Sequence, residues 1–246
     1  MPLLLLIAFA GTALLYASVG FGGGSTYSAL LALAQVDYRI LPLISLACNI
    51  VVVAGSTLRF ARAGIVPWHG ALLLTAIAAP AAFLGGLTPI GERGFLLLLG
   101  ASLVLTALTM LLPLSTSSQQ PGRLARMVPL VAAPLGYLAG LVGIGGGIFL
   151  APLLHLARWN EARGIAATAS FFILVNSLFG MAGQVMKGGE GRLIAAVDLG
   201  LPLMLAVAVG GWAGSLLALR VLPPQAIRWI TAALTGVVGA RLLIGV

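Results

Sequence analysis

The sequence is short of charge and of cysteine, and each shortage excludes a class of protein. Only 7% of its 246 residues are charged, against 61% hydrophobic, and the mean hydropathy is +1.15. A soluble domain of this length has no use for so much apolar sequence; repeated apolar stretches of about 20 residues indicate a polytopic helical membrane protein. These stretches do not alternate with polar residues, as a β-barrel would require. The single cysteine, Cys48, excludes an intramolecular disulfide and a Cys-cluster metal site, and its apolar setting marks a packed thiol. Of the few acidic residues, Asp37, Glu92, Glu161 and Glu190 fall in turns and Asp198 at the start of a span. A buried carboxylate relay for proton coupling is therefore absent or minimal, and a carboxylate cation site is disfavoured. No Gly-x4-Gly-Lys-Ser/Thr occurs, which excludes ATP-driven transport by this chain alone; nothing signals a cofactor. Residues 1–10 lack a basic segment ahead of the apolar stretch and read as a first span, not a cleaved leader.

The formal net charge of +8 comes mostly from arginines scattered singly or in pairs between spans. On a soluble protein this would suggest nucleic acid. Here the cations belong at the headgroup level, and the expected partner is the lipid bilayer. Arg59 and Arg62 read as residues that snorkel to headgroups or draw anions toward an opening. The cations divide almost evenly between the two sides, so orientation is not legible. Such a balance fits inverted halves with re-entrant helices, and equally a different span count.

Glycine is abundant, with 33 residues, and it is concentrated in a break that occurs twice. The first copy is Gly20-Phe21-Gly22-Gly23-Gly24 and the second Gly143-Ile144-Gly145-Gly146-Gly147. Three consecutive glycines disfavour a continuous helix. Each break lies in an apolar stretch too long for one crossing, residues 3–34 and 128–156: the first would extend ~48 Å as a straight helix, against a hydrocarbon core of ~30 Å. Lipid cannot satisfy unwound amides, so such a break persists only where protein or a wet cavity does. The remaining spans are expected at about 40–58, 68–87 with Pro80 as a kink, 95–114, 164–186, 197–219 and 227–244, with a glycine-rich turn at 187–192.

The expected fold is thus an all-α integral membrane protein of about eight apolar segments in two homologous four-segment repeats, each with a glycine-broken or re-entrant helix. Repeat one covers 1–114, a polar linker 115–127, and repeat two 128–246. An offset of 123 aligns Gly23 with Gly146, Leu30 with Leu153 and Ser45 with Thr168. Paired breaks in two halves are the usual pointer to a transporter binding site.

The chemistry follows from helix ends. A helix starting after Gly24 or Gly147 presents unpaired N–H groups toward the break, and glycine lets an oxyanion approach them. Gly22, Gly23 and Gly24 with Gly145, Gly146 and Gly147 are the expected backbone donors. Ser25, Thr26, Asn49, Thr168, Ser170 and Asn176 are expected to shape the pocket. The competing explanation for the glycines is tight packing, since Gly20-x-x-x-Gly24 and Gly143-x-x-x-Gly147 both fit small-xxx-small. Over-length combined with repetition favours a site; Gly136-x-x-x-Gly140 reads as packing. Ser45, Gln184 and the other in-span polar residues divide between ligand contact and interhelical bonds. His155 reads as a satisfied buried imidazole and His69 as an interfacial anchor. No His/Asp/Glu cluster supports an enzyme, and no metal site is expected.

The stretch Gly143 to Leu154, with Gly-Ile-Gly-Gly-Gly-Ile-Phe-Leu-Ala-Pro-Leu-Leu, resembles the signature of the TauE/SafE family. Ala166 to Ser170 is similar to that family's small-Thr-Ser segment, and the first half matches through Gly20 to Gly24 and through Leu46 to Asn49 with Gly55. The resemblance covers nearly the whole chain. It implies a multi-pass permease of the bacterial cytoplasmic membrane for sulfur oxyanions such as sulfite, sulfonates or sulfoacetate; a homodimer is a separate, open expectation, since oligomeric state is not legible in the sequence. Ala29 stands where Pro152 stands in the second copy, and Ala167 replaces a glycine common before the Thr-Ser pair. The leading expectation is a secondary transporter by alternating access. The alternatives are a channel-like anion facilitator, an integral-membrane enzyme or assembly subunit, and a membrane scaffold.

Overall fold

The computed structural model describes residues 3–111, 123–217 and 224–245, and every regular element among them is helical. Most of the expected linker lies outside the described residues; its end forms a short 3-10 turn, Arg123–Arg126.

Both over-long stretches break at their glycines. Helix α1 (Leu3–Val19) ends, Gly20 and Gly23 adopt left-handed φ of 85° and 82°, and α2 (Gly24–Leu33) begins. Helices α3 (Leu41–Arg62), α4 (Trp68–Leu87) and α5 (Glu92–Leu111) follow. In the second half α6 (Val128–Val142) ends, Gly143, Gly145 and Gly146 take φ of 83°, 83° and 76°, and α7 (Gly147–Leu156) starts. Then come α8 (Ala162–Leu217) and α9 (Pro224–Ile244). Helix α4 matches its expected span residue for residue, and Pro80 sits on its exposed side within one uninterrupted helix. Helix α5 starts earlier than expected, at Glu92, whose carboxylate suits the positive end of a helix.

The expected glycine-rich turn at 187–192 is narrower than its composition suggests. Only Gly189 leaves helical geometry, at φ 69° and ψ 174°, a region open essentially to glycine alone. The chain nevertheless reverses there. Gly180 and Gly200 both pack against α3, beside Leu46 and Ile44, whereas in a straight helix they would lie ~30 Å apart. Residues 162–188 and 190–217 are therefore two limbs of a helical hairpin, each long enough to cross a ~30 Å apolar layer.

Two faces of the bundle can be named by their turns. At face A, the loops after α2 and α4 meet the Gly189 reversal: Lys187 Nζ donates to the Thr88 carbonyl at 3.2 Å. At face B, Arg59 near the end of α3 donates to the Ala17 and Ser215 carbonyls at 3.1 and 3.0 Å. This corrects the snorkelling expectation for Arg59, which instead ties the ends of α1 and α8 together.

The two broken stretches enter from opposite faces. Helix α1 ends at face B beside Arg59; α2 folds back along it to face A, with Phe9 stacked on Tyr27 at 4.9 Å. Helix α6 runs parallel to α4, Gly136 on the Ala78 carbonyl and Gly140 on that of Ala82, and so ends toward face A. Helix α7 then returns to face B, where Trp159 covers Gly70. Equivalent small-residue seams hold both hairpins: Gly210 and Gly214 of α8 sit on the Ala10 and Leu14 carbonyls of α1. Outside these seams, leucines such as Leu72, Leu84, Leu105, Leu108 and Leu205 point outward, the dress of a lipid-facing surface.

Candidate functional site

The hairpin tips meet at mid-depth around Asn49 of α3. Its Nδ2 donates to the Ile144 carbonyl at 3.2 Å, joining the second break to the first half. A Cβ on Gly22 would fall 2.6 Å from Asn49 Oδ1, and one on Gly145 2.8 Å from Asn49 Nδ2. On Gly24 it would overlap both Asn49 Nδ2 and the Ile144 carbonyl. Ile173 of α8 faces Asn49 across the tips and touches the positions of Gly22, Gly145 and Gly147. Glycine is required at Gly24, where a Cβ would overlap the Ile144 backbone carbonyl, and at Gly145 by its left-handed φ; at Gly22 and Gly147 a Cβ would displace the Asn49 and Ile173 side chains.

The electrostatics come from backbone. Among the described residues, the amides of 22–26 and of 144–148 find no hydrogen-bond acceptor. All but the last of these positions are buried. An unpaired buried amide costs roughly 1–3 kcal/mol, so two such runs facing one junction need an explanation. Left-handed Gly23 and Gly146, each just ahead of a helix start, turn the runs into concave nests with positive partial charge. The buried side chains nearby repeat the pattern: Ser25 Oγ, Asn49 Oδ1, Ser177 Oγ and both polar atoms of Asn176 are unpartnered. Ser25 has the Tyr16 phenol as a polar neighbour, but that hydroxyl is engaged with Thr26 at 3.0 Å and Thr231 at 2.7 Å.

The expected residues separate into three groups. Gly22, Gly24, Gly145, Gly147 and Asn49 converge on the junction. Ser25 and Asn176 are buried with unused hydrogen-bonding capacity. The others are committed to the scaffold. Gly23 faces Thr12 and Tyr16, and Gly146 faces Ala139 and Phe172, so each sets the turn and leaves the lining to its neighbours. Thr26 bonds Tyr16; Thr168 donates to the Gly164 carbonyl of its own helix at 2.8 Å; Ser170 donates to the Gly20 carbonyl. Ser45 donates to the Gly24 carbonyl at 3.1 Å while accepting from Ser28 at 3.0 Å. Gln184 makes interhelical bonds, to the Gly140 and Leu141 carbonyls at 2.9 and 3.3 Å.

Sequence reading missed Ser177, which lies 3.1 Å from where a Gly145 Cβ would stand. Its spacing offered a signal: Ser170 and Ser177 are two helical turns apart on one limb. No group of three or more His, Cys, Asp or Glu side chains able to hold a metal occurs among the described residues. Donor amides, hydroxyls and carboxamides without fixed charge suit an anion or a polar neutral solute.

Comparison with known proteins gives this geometry a family. The profile of the sulfite exporter TauE/SafE family matches residues 3–242. The chain is 34% identical over 245 residues to the probable membrane transporter protein y4hK of Sinorhizobium fredii, covering 97% of each. It is 28% identical over 112 residues to a probable membrane transporter protein of Methanocaldococcus jannaschii, covering 44% of this chain and 42% of that one. It is also 30% identical over 113 residues to the probable membrane transporter protein MamO of Magnetospirillum gryphiswaldense, 45% of this chain and 18% of that one. No solved structure matches. With a profile match along nearly its whole length and a full-length relative at this identity, the chain belongs to the TauE/SafE family and is a multi-pass membrane transporter.

Proposed function

We propose that the chain is a secondary transporter of the bacterial cytoplasmic membrane for a small sulfur-containing oxyanion, such as sulfite or an organosulfonate. The reading is carried by one observation: two runs of buried, unpaired amides, on hairpins entering from opposite faces, converge on Asn49. Oxygens of a pyramidal or tetrahedral anion would accept from both nests at once, with the Ser25 and Ser177 hydroxyls as further donors. A site with no fixed positive side chain binds an anion without trapping it, which suits release on the far side.

The two halves, 1–114 and 128–246, are read as an inverted pair, each led by a broken hairpin. Rocking one half against the other would expose the junction to each face in turn. Close packing at the centre favours this over a standing pore: a methyl group on Gly24 would overlap Asn49 and Ile144, so an oxyanion enters only as the tips move apart.

The test is flux of radiolabelled sulfite in proteoliposomes, wild type against Asn49→Asp. The variant keeps the size of the side chain and sets a carboxylate between the nests. Saturable wild-type flux with counterflow exchange, lost in a folded Asn49→Asp protein, is the expected result. Undiminished flux in that variant refutes the central site. Saturation without counterflow replaces alternating access by a facilitator.

A further inference from the structure

Away from the junction, a cavity of about 200 Å³ opens at face A, where the loops after α2 and α4 meet the Gly189 reversal. Three cationic side chains line it, Arg39, Lys187 and Arg192, together with Gln184; no carboxylate is among its lining residues. The cations keep donors to spare. Lys187 spends one on the Thr88 carbonyl and Arg39 its Nε on Tyr38 Oη at 3.3 Å, while Arg192 makes no hydrogen bond among the described residues. Asp37 accepts the backbone N–H of Arg39 at 2.9 Å, and Glu92 is within electrostatic reach of the same guanidinium. Both lie outside the lining, so neither neutralises the cluster from within the cavity.

The floor of the cavity is what connects it to the rest. The buried lining of the cavity consists of Pro42, Phe95, Leu141 and Gln184, and Pro42 and Leu141 are the part of it next to the second break. Pro42 is the residue on which Gly143, the first glycine of the second break, packs. Leu141 is the last turn of α6, and its carbonyl and that of Gly140 are held by the Gln184 carboxamide. One layer of side chains thus separates a basic hollow from the hairpin tip that carries half of the unpaired amides.

We propose that this cavity is a vestibule that collects small oxyanions at face A and passes them to the centre when the Pro42–Leu141 floor opens. Its affinity for anions stands on its own residues; its role as an approach to the centre rests on the transport reading above. Clustered like charges in a walled hollow focus the local potential, raising anion concentration and association rates by roughly 10- to 1,000-fold. They specify sign and size, and leave discrimination among oxyanions to the junction beyond.

The experiment is thiol labelling of the full chain in proteoliposomes. Pro89→Cys, at the exposed rim, is made in a Cys48→Ala background, with Ile90→Cys as a second reporter. Each is reacted with a sulfonate-bearing and with a trimethylammonium-bearing methanethiosulfonate, and rates are normalised to those with free 2-mercaptoethanol. The anionic reagent is expected to react at least about tenfold faster than the cationic one. The excess should vanish with Arg39→Gln plus Arg192→Gln, shrink at high salt, and fall on addition of the organosulfonate isethionate. Equal rates for the two reagents, or an excess that survives the double substitution, overturns the vestibule. An excess without any sulfite or isethionate flux keeps the vestibule and removes the transport reading. Flux without the excess does the reverse.

Discussion

Asn49 Nδ2 and the Ile144 carbonyl meet at 3.2 Å across 95 positions of sequence, and this is the bond that brings the second hairpin tip onto the first half. Its other carboxamide atom, Oδ1, is unpartnered beside Gly22. Asn49→Ala removes the bond and leaves the Ile144 carbonyl unpaired, at a cost of about 1–3 kcal/mol. Asn49→Asp keeps the size of the side chain, also loses the donor to the Ile144 carbonyl, and adds a negative charge at the junction. The first variant is expected to lower thermal stability and flux together. The second is expected to abolish stabilisation by sulfite, read as the anion-dependent rise in melting temperature, in protein that still folds. Equal anion-induced rises in wild type and Asn49→Asp would mean that anions bind elsewhere.

Glycine substitutions divide by surroundings. Gly145 has φ of 83° and Asn49 Nδ2 at 2.8 Å from a would-be Cβ, so Gly145→Ala suffers both strain and overlap. Left-handed strain alone costs of order 1–3 kcal/mol. Gly11, inside α1, has nothing within 4 Å of a Cβ, and Gly11→Ala gains up to about 1 kcal/mol of helix propensity. Thermal melts in detergent should therefore move in opposite directions for the two changes. Flux should fall at least about tenfold for Gly145→Ala, the equivalent of roughly 1.4 kcal/mol, and hold for Gly11→Ala.

Gly189 isolates backbone strain from packing. A Cβ there meets nothing within 4 Å, yet φ 69° with ψ 174° is closed to other residues. Gly189→Ala is expected to destabilise by about 1–3 kcal/mol despite the open space, whereas Gly191→Ala, equally open and helical, is expected to be neutral or stabilising. Equal melting temperatures for the two variants would show that the reversal does not depend on that conformation.

How much of this was legible depends on how local the cause is. A glycine triplet weakens a helix wherever it stands, so both breaks and the starts at Gly24 and Gly147 follow from sequence. The limits of α4 are set by Pro67 and by the polar turn after Leu87, again locally. Helix rotation is another matter. Thr168 and Ser170 were expected in the pocket, but the limb carrying them is apolar on most sides, and such a helix does not reveal which face turns inward. Thr168 bonds its own helix, and Ser170 anchors the Gly20 carbonyl. The same ambiguity hid Ser177. Direction of travel was illegible too: that α2 and α7 return to opposite faces depends on seams such as Gly140 on Ala82 and Gly210 on Ala10, and a motif such as Gly136-x-x-x-Gly140 marks a packing face without naming its distant partner.

Arg59 offers a test in which two readings of one residue part company. As a snorkelling cation it would serve the headgroups, and its loss would be nearly silent in detergent. In the structure its guanidinium reaches the Ala17 carbonyl, the Ser215 carbonyl and Ser56 Oγ, at 3.1, 3.0 and 3.2 Å. The first two are carbonyls of the last turns of α1 and α8, the end of a helix that carries negative partial charge; Ala17 also accepts a long bond from the Gly20 amide, at 3.4 Å. A charged donor to such groups contributes about 1.5–3 kcal/mol when shielded, and less here because one contact is exposed. Arg59→Gln should therefore lower the melting temperature by an amount worth about 1 kcal/mol. Arg59→Lys should restore only part of it, since one ammonium on a flexible stem does not span two helix ends as a planar fork does. Because the bond to Ala17 holds α1 just ahead of the Gly20 turn, flux should fall with stability in both variants. Wild-type melting for Arg59→Gln would return the residue to the lipid headgroups.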